Sequence, residues 1–176
     1  MSRHVVTINR APVLTLWAAV VAERLGFRRE EALTLGKCVA GLNARSKGRR
    51  LGIFKPGVDK GRTPRGTKRG EEFRVDLCGR AVPAIETAGG IRAVKGDREI
   101  SAESVATYLE KKFGADLDDT RAAMEELARS YDPAELADAA YALYEEFRPA
   151  IPPGRRGWGA KGELDLDRVR ELRPDA

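Results

Sequence analysis

Between residues 12 and 25 the hydrophobic positions recur at three- and four-residue steps, which is the period of an α-helix. Alanines fill most of the remaining positions, so we expect this helix to be buried on two sides. Pro12 is tolerated in a first turn because its missing N–H would have no helical partner. Gly26 is expected to end the helix as a left-handed cap. The helix is too short to cross a bilayer, which needs ~20 apolar residues, so we predict no membrane partner.

A second helix is predicted directly after this turn. Glu30 and Glu31 lie in its first turn, where the helix dipole favours carboxylates. One row of this helix contains only small residues at four-residue spacing: Ala32, Gly36, Ala40 and Ala44. Glycine inside a helix costs ~1 kcal/mol relative to alanine. We therefore expect another helix or a strand to approach closely at Gly36 and Gly41.

Alternating patterns typical of β-strands occur at residues 4–9, 73–77, 81–85 and 91–94. The last two flank a turn around Gly89 and Gly90. They predict a small antiparallel sheet of three or four short strands, which the first strand near Val5 could join. If the hairpin around Gly89 lies beside the helix pair, the layout is winged-helix-like; otherwise the hairpin only covers the core.

After residue 100 the pattern returns to the helical period. Ser101 is predicted to cap a helix that ends at Phe113, and a second helix is expected over residues 118–130. Asp132 and Pro133 are a strong start signal for a third helix. An irregular segment around Trp158 and one last short helix complete the chain. The predicted fold class is α+β, with an N-terminal helical hairpin and small sheet (residues 1–100) and a C-terminal lobe of three to four short helices (residues 101–176), in one compact unit.

Charge separates these two parts of the chain. Residues 1–80 contain 18 Lys and Arg against 7 Asp and Glu, whereas residues 81–176 contain 14 against 20. Within residues 43–70 ten residues are basic and only Asp59 is acidic, and we expect about 15 of these residues to form a mobile loop. A basic, glycine-rich segment beside a helical hairpin is typical of a surface that binds polyanions. The alternative is a solvated loop whose arginines pair with the acidic half or point to water.

The helix pair resembles the helix-turn-helix of DNA-binding proteins over about residues 18–35. The small residue, turn glycine and apolar positions of that motif correspond to Ala22, Gly26, Val21, Leu25, Phe27, Ala32 and Leu35. The resemblance implies a second helix that faces base edges, for which Arg28, Arg29 and Thr34 are suitable side chains. Leu33 departs from the motif because it stands where a polar side chain is expected. A plain packed helical hairpin is the alternative.

Other kinds of site find little support in the sequence. The single histidine, His4, and two cysteines, Cys38 and Cys78, have no metal-ligand spacing, and no Ser or Cys has a nucleophile-elbow context. No GxxxxGK[ST] phosphate loop is present. We predict no cofactor and no metal. The two cysteines form no disulfide framework and no signal-peptide pattern precedes residue 12, so the predicted location is cytoplasmic.

These patterns favour a non-catalytic protein that binds duplex DNA, or a regulatory protein, through contacts to the phosphate backbone. The candidate nucleic-acid-binding residues are Arg28, Arg29, Arg45, Lys47, Arg49, Arg50, Lys55, Lys60, Arg62, Arg65, Lys68 and Arg69. The first alternative is a protein-interaction module or homo-oligomer, with the first helix or Trp158 in the interface. The second is an enzyme acting on a phosphorylated substrate beside Glu72 or Asp76.

Overall fold

The structure is a computed structural model that describes residues 4–50, 71–151 and 160–174, with residues 45–50 described as backbone only. It has the predicted α+β class, with a helical pair, antiparallel sheets and C-terminal helices. In chain order the elements are β1 (Val5–Asn9), α1 (Arg10–Arg24), α2 (Arg29–Arg50), β2 (Phe73–Leu77), β3 (Arg80–Thr87), β4 (Gly90–Lys95), β5 (Arg98–Glu99), α3 (Ala102–Phe113), α4 (Leu117–Arg129), α5 (Pro133–Phe147), β6 (Lys161–Asp165) and α6 (Leu166–Glu171).

Helix α1 lies at the centre of the molecule. Every side chain from Pro12 to Ala22 is buried, as its nearly all-round apolar pattern predicts. The indole N–H of Trp17 donates to the Ala140 carbonyl at 2.9 Å, and its ring meets Phe147 edge-on at 5.3 Å. This helix therefore joins the N-terminal pair to the C-terminal helices in one hydrophobic core.

Gly26 ends α1 as predicted. Its φ of +111° is in the range that favours glycine. The Gly26 N–H donates to the Glu23 carbonyl and the Phe27 N–H donates to the Ala22 carbonyl, each at 3.0 Å. These two bonds form a Schellman motif, which satisfies the last carbonyls of α1 and turns the chain into α2.

Helices α1 and α2 approach most closely at Gly36. A Cβ atom at this position would lie 2.5 Å from the Thr15 carbonyl oxygen and 2.9 Å from the Ala19 nitrogen. The predicted close approach is confirmed at Gly36. It is wrong at Gly41, which is exposed and has no neighbouring atom within 4 Å of the equivalent position.

The predicted small sheet is present, with four antiparallel strands in the order β2-β3-β4-β5. The first strand does not join it. Instead β1 pairs antiparallel with β6, so that Val5 lies opposite Asp165 and Asn9 opposite Lys161. Strand β6 was missed because only Gly162 and Leu164 alternate inward within its five residues, which is too short a pattern to identify a strand.

The C-terminal helices follow their sequence signals. The Ser101 side chain accepts from the Ser104 N–H at 3.2 Å at the start of α3, and Asp132 and Glu135 form a capping box around Pro133 at the start of α5. Helix α6 begins at Leu166, and the Asp165 side chain accepts from the Asp167 N–H at 3.0 Å. The predicted surroundings of Trp158 lie outside the described residues.

Candidate functional site

The N-terminal half of α2 is attached to the edge of β4 by a row of side chains. The Glu31 carboxylate accepts from the Ile91 N–H at 2.9 Å, and the Thr34 hydroxyl accepts from the Ala93 N–H at 3.0 Å. Cys38 Sγ lies 3.9 Å from the Val94 carbonyl oxygen. Residues three and four apart share a helix face, so this row lies on one side of α2. Glu31 and Thr34 provide hydrogen-bond acceptors, and Cys38 provides a weak thiol donor, to strand β4, which β5 pairs only at Val94 and Lys95.

The Glu31 carboxylate is buried but remains ionised. Burial alone would raise its pKa. The backbone N–H groups of Ile91 and Arg28, which donate to its two oxygens at 2.9 Å each, and the charges of Arg28 and Arg92 bring the pKa below its ordinary value. The ionised Glu31 carboxylate thus links the start of α2 to the β3–β4 hairpin through its hydrogen bonds.

This attachment changes what α2 can contact. Thr34 is fully buried, and its hydroxyl also donates to the Glu31 carbonyl at 3.0 Å. The suggestion that Thr34 reads a base edge is therefore wrong. The hairpin turn at Gly89 does lie beside the helix pair, but the hairpin packs over α2 and covers the face that a recognition helix would expose.

Arg28 and Arg29 are both exposed at the start of α2. The Arg28 Nη2 donates to the Gly89 carbonyl at 2.9 Å, and Arg29 Nε lies 3.9 Å from the Glu23 carboxylate. Each guanidinium therefore retains donors that face solvent. Their contact with nucleic acid stays a prediction.

The C-terminal half of α2 carries the first part of the basic segment. The helix continues past Gly48 to Arg50, so the positions of Arg45, Lys47, Arg49 and Arg50 are helical. The remaining candidate residues lie outside the described residues, as does the predicted loop: Lys55, Lys60, Arg62, Arg65, Lys68 and Arg69.

Beside this half of α2 the structure brings together side chains that the sequence did not single out. We call Arg10, Arg80 and Arg148 the arginine cluster. The Asn43 Oδ1 of α2 accepts from Arg80 Nη2 at 2.7 Å and from the Tyr141 hydroxyl at 3.0 Å. A single amide oxygen thus fixes a guanidinium from β3 and a phenol from α5.

Local structure explains how these groups meet. Arg80 follows the two-residue turn Cys78–Gly79, in which both φ angles are positive (+49° and +75°), as in a type I′ hairpin. A Cβ on Gly79 would lie 3.8 Å from the Tyr141 Cβ, so the turn packs on α5. Arg148 caps the C-terminal end of α5.

Arg10 approaches the same region from the start of α1. Its Nε donates to the carbonyl of Pro149, which follows Arg148, at 3.0 Å. Burial, and then the positive charge of Arg148, lowers the pKa of Arg10. Tyr144 lies beside Tyr141, with ring centroids 5.7 Å apart. Burial raises the pKa of Tyr144 to about 12, so its hydroxyl stays neutral.

The described side chains supply no compensating negative charge to the arginine cluster. Within the described parts of the chain, no Asp or Glu oxygen lies within 4.0 Å of the guanidinium nitrogens of Arg10, Arg80 or Arg148. Arginine presents five donors in a planar fork that matches phosphate or carboxylate oxygens. The arrangement is therefore chemically suited to an anionic ligand.

The other predicted sites have different surroundings. Asp76 is exposed on β2, and Glu72, which is exposed just before β2, forms an ion pair with Arg74 at 2.6 Å. Cys38 and Cys78 are buried, while His4 lies 3.3 Å from Asp116. No group of three or more His, Cys, Asp or Glu side chains in the described ranges is placed to hold a metal ion.

Of the two surfaces considered for protein association, helix α1 differs from expectation, and Trp158 lies outside the described residues. Helix α1 is enclosed by the fold, so it is not available to an interface. Among the described side chains, Val5 is the one large hydrophobic group that is exposed. None of the described helices is both long and apolar enough to span a membrane.

Comparisons of the chain with protein-family models, with curated proteins and with solved structures gave no match.

Proposed function

We propose that this chain is a non-catalytic nucleic-acid-binding protein that contacts the phosphate backbone of duplex DNA. The proposed surface consists of the arginine cluster and the C-terminal half of α2. The observation that supports it most is the convergence of three arginines, with no carboxylate partner among the described residues, beside a helix that continues into a basic segment. Uncompensated positive charge of this kind attracts polyanions.

Helix α2 continues the basic surface beyond the arginine cluster. Lys47 and Arg50 follow Asn43 at four- and seven-residue steps, which is the spacing of one helix face. Asn43 itself accepts from Arg80, a member of the cluster. The three positions therefore favour one continuous basic face, in which arginines bind phosphate oxygens through paired N–H donors.

This surface is better suited to contacts with the DNA phosphate backbone than to the recognition of base edges. The N-terminal half of α2 is covered by β4, so its side chains have little access to base edges. Arg28 and Arg29 lie at the opposite end of a 22-residue helix, ~33 Å from Arg50. They would contact a separate stretch of the backbone. Binding through phosphates alone is expected to be strongly salt-dependent and weakly sequence-dependent.

The test is fluorescence anisotropy with a mixed-sequence duplex of about 25 bp, titrated at several salt concentrations. The double variant Arg80→Gln/Arg148→Gln is compared with the parent. Each lost phosphate contact should lower the slope of log K against log salt by ~0.9, so we expect a decrease of about 2 and at least ~10-fold weaker binding at low salt.

Arg129→Gln is the matched control because Arg129 is exposed at the end of α4, away from this surface. Its slope and affinity should equal those of the parent. Circular dichroism confirms that each variant is folded. Equal slopes for the parent and the double variant, or no duplex binding by the parent at low salt, would refute the proposal.

A further inference from the structure

A second group of cations lies around Tyr108, where α2, α3 and the end of β4 meet. We call Lys37, Lys95 and Lys112 the lysine cluster. Lys37 Nζ lies 3.8 Å from the centroid of the Tyr108 ring. Lys112 follows Tyr108 by one helical turn on α3. The contact of Cys38 Sγ with the Val94 carbonyl places the preceding residue of α2, Lys37, beside the end of β4, which is Lys95.

The ammonium group of Lys37 has no negative partner among the residues that the structure describes. In the portion of the chain that the structure describes, no carboxylate oxygen lies within 4.0 Å of the amines of the lysine cluster. Burial, followed by the charges of Lys95 and Lys112, lowers the pKa of Lys37. Burial raises the pKa of Tyr108, so its ring remains that of a neutral phenol. Its π-face can hold the Lys37 ammonium in place.

We propose that the lysine cluster binds a small multivalent phosphate, such as pyrophosphate or the phosphate chain of a nucleotide. Lysine is a compact charge with three donors, and phosphate chains are bound by such charges in many proteins. Lys37 is half-buried between α2 and α3, whereas Lys95 and Lys112 are exposed on either side of it. Because Lys37 is half-buried and the other two lysines are exposed, the proposed ligand is a small anion and not a rigid duplex.

This site is separate from the proposed nucleic-acid surface and does not depend on it. Lys37 and Asn43 are six residues apart on α2, which places them ~120° apart around the helix axis. The arginine cluster adjoins Asn43 through Arg80 and Tyr141. The two cation groups therefore lie on different sides of the same helix.

Binding is tested by isothermal titration calorimetry with inorganic pyrophosphate and by thermal denaturation at up to about 10 mM pyrophosphate, with NaCl used to hold the ionic strength constant. The parent should show saturable binding and a rise in Tm. Lys37→Met, which keeps an apolar chain over the Tyr108 ring, should weaken binding at least ~10-fold. Lys111→Met is the matched control, because Lys111 is an exposed neighbour of Lys112, and it should bind as the parent does.

If Lys37→Met does not fold, Lys95→Gln/Lys112→Gln replaces it, since both of these side chains are exposed. Absence of saturable binding to the parent, or equal affinity in the cluster variants and the Lys111 control, would overturn the proposal. Saturating pyrophosphate should leave the duplex affinity unchanged at constant ionic strength. Displacement of the duplex by pyrophosphate would also overturn the proposal of a separate phosphate site, because both ligands would then bind the same surface.

Discussion

At the scale of single residues, Gly36 determines how closely α1 and α2 can pack. Its missing side chain leaves room for the backbone of Thr15 and Ala19. We expect Gly36→Ala to destabilise the protein by about 1–3 kcal/mol, because the new methyl group would collide with rigid backbone atoms in spite of the better helix propensity of alanine. Urea denaturation followed by circular dichroism measures this change.

The same helix supplies the control. Gly41 has open space around the position of a Cβ atom, so Gly41→Ala should stabilise the protein by up to about 1 kcal/mol. The two substitutions are chemically identical. A shift of both variants in the same direction would contradict the role assigned to Gly36.

Single residues also show what the sequence can and cannot predict. The row of small residues predicted a close approach to α2, and the structure confirms it at Gly36. The unfavourable helix propensity of glycine applied equally to Gly36 and Gly41 and did not distinguish them, because the position of α1 decides which side of α2 is crowded. Thr34 was misjudged for a related reason. A polar side chain in a helix can face solvent, but it can also accept a hydrogen bond from a buried backbone N–H, as Thr34 does from Ala93.

At the scale of elements, the polar row on α2 completes the edge of β4. We expect Glu31→Gln to destabilise the protein by about 1–3 kcal/mol at pH 7. The amide has one oxygen in place of two, so either the Ile91 or the Arg28 N–H loses its acceptor, and the attraction of the Arg28 guanidinium is lost as well. Chemical denaturation measures the loss. Glu30→Gln is the control, since Glu30 is the exposed neighbouring carboxylate, and it should change stability little.

The pH dependence of this difference has a definite sign. The folded-state pKa of Glu31 lies below its ordinary value of 4.5, so its ionisation stabilises the fold above that pH and the contribution is lost as pH falls through the lowered value. The stability gap between the parent and Glu31→Gln should therefore be constant near neutral pH and narrow below about pH 4.5. A gap that widens with acid would contradict this assignment.

Elements that depend on distant partners were the hardest to predict. Helices α1, α3 and α5 have their own periodicity and end signals, so their sequences indicate them directly. Strand β6 has only five residues and is a strand because it pairs with β1. The arginine cluster was missed likewise, because Arg10, Arg80 and Arg148 are far apart in the chain and only the fold brings them together. The sequence predicted the basic character of this end of the molecule, but not the residues beside α2.

At the scale of the whole molecule, one hydrophobic core connects the predicted basic and acidic parts, and each part contains buried side chains of that core. The reactivity of Cys38 and Cys78 measures the opening of this core, because both thiols are buried in it. Burial also raises the pKa of the Cys78 thiol to about 12. Neither thiol should react with an aromatic disulfide reagent until the protein opens.

Leu164→Ala tests whether that opening is cooperative. Leu164 is fully buried in β6, so its truncation should cost about 2–5 kcal/mol and accelerate the labelling of Cys38 and Cys78 together by at least ~30-fold. Val5→Ala is the control because Val5 is exposed on the partner strand, and it should leave both rates close to those of the parent. Both thiols lie in residues 1–100, whereas Leu164 lies in the C-terminal part, so labelling rates that stay unchanged in Leu164→Ala would show that the two parts open separately.

The pairing of β1 with β6 also affects the order in which the protein can fold during its synthesis. The ribosome produces β1 before every other described element, whereas β6, with which β1 pairs, is produced after α5. Val6 and Ile8, whose side chains are buried in the finished fold, have no strand beside them throughout that interval. Closure of the two-stranded sheet is therefore expected to be a late step of folding, which must wait until β6 has been synthesised.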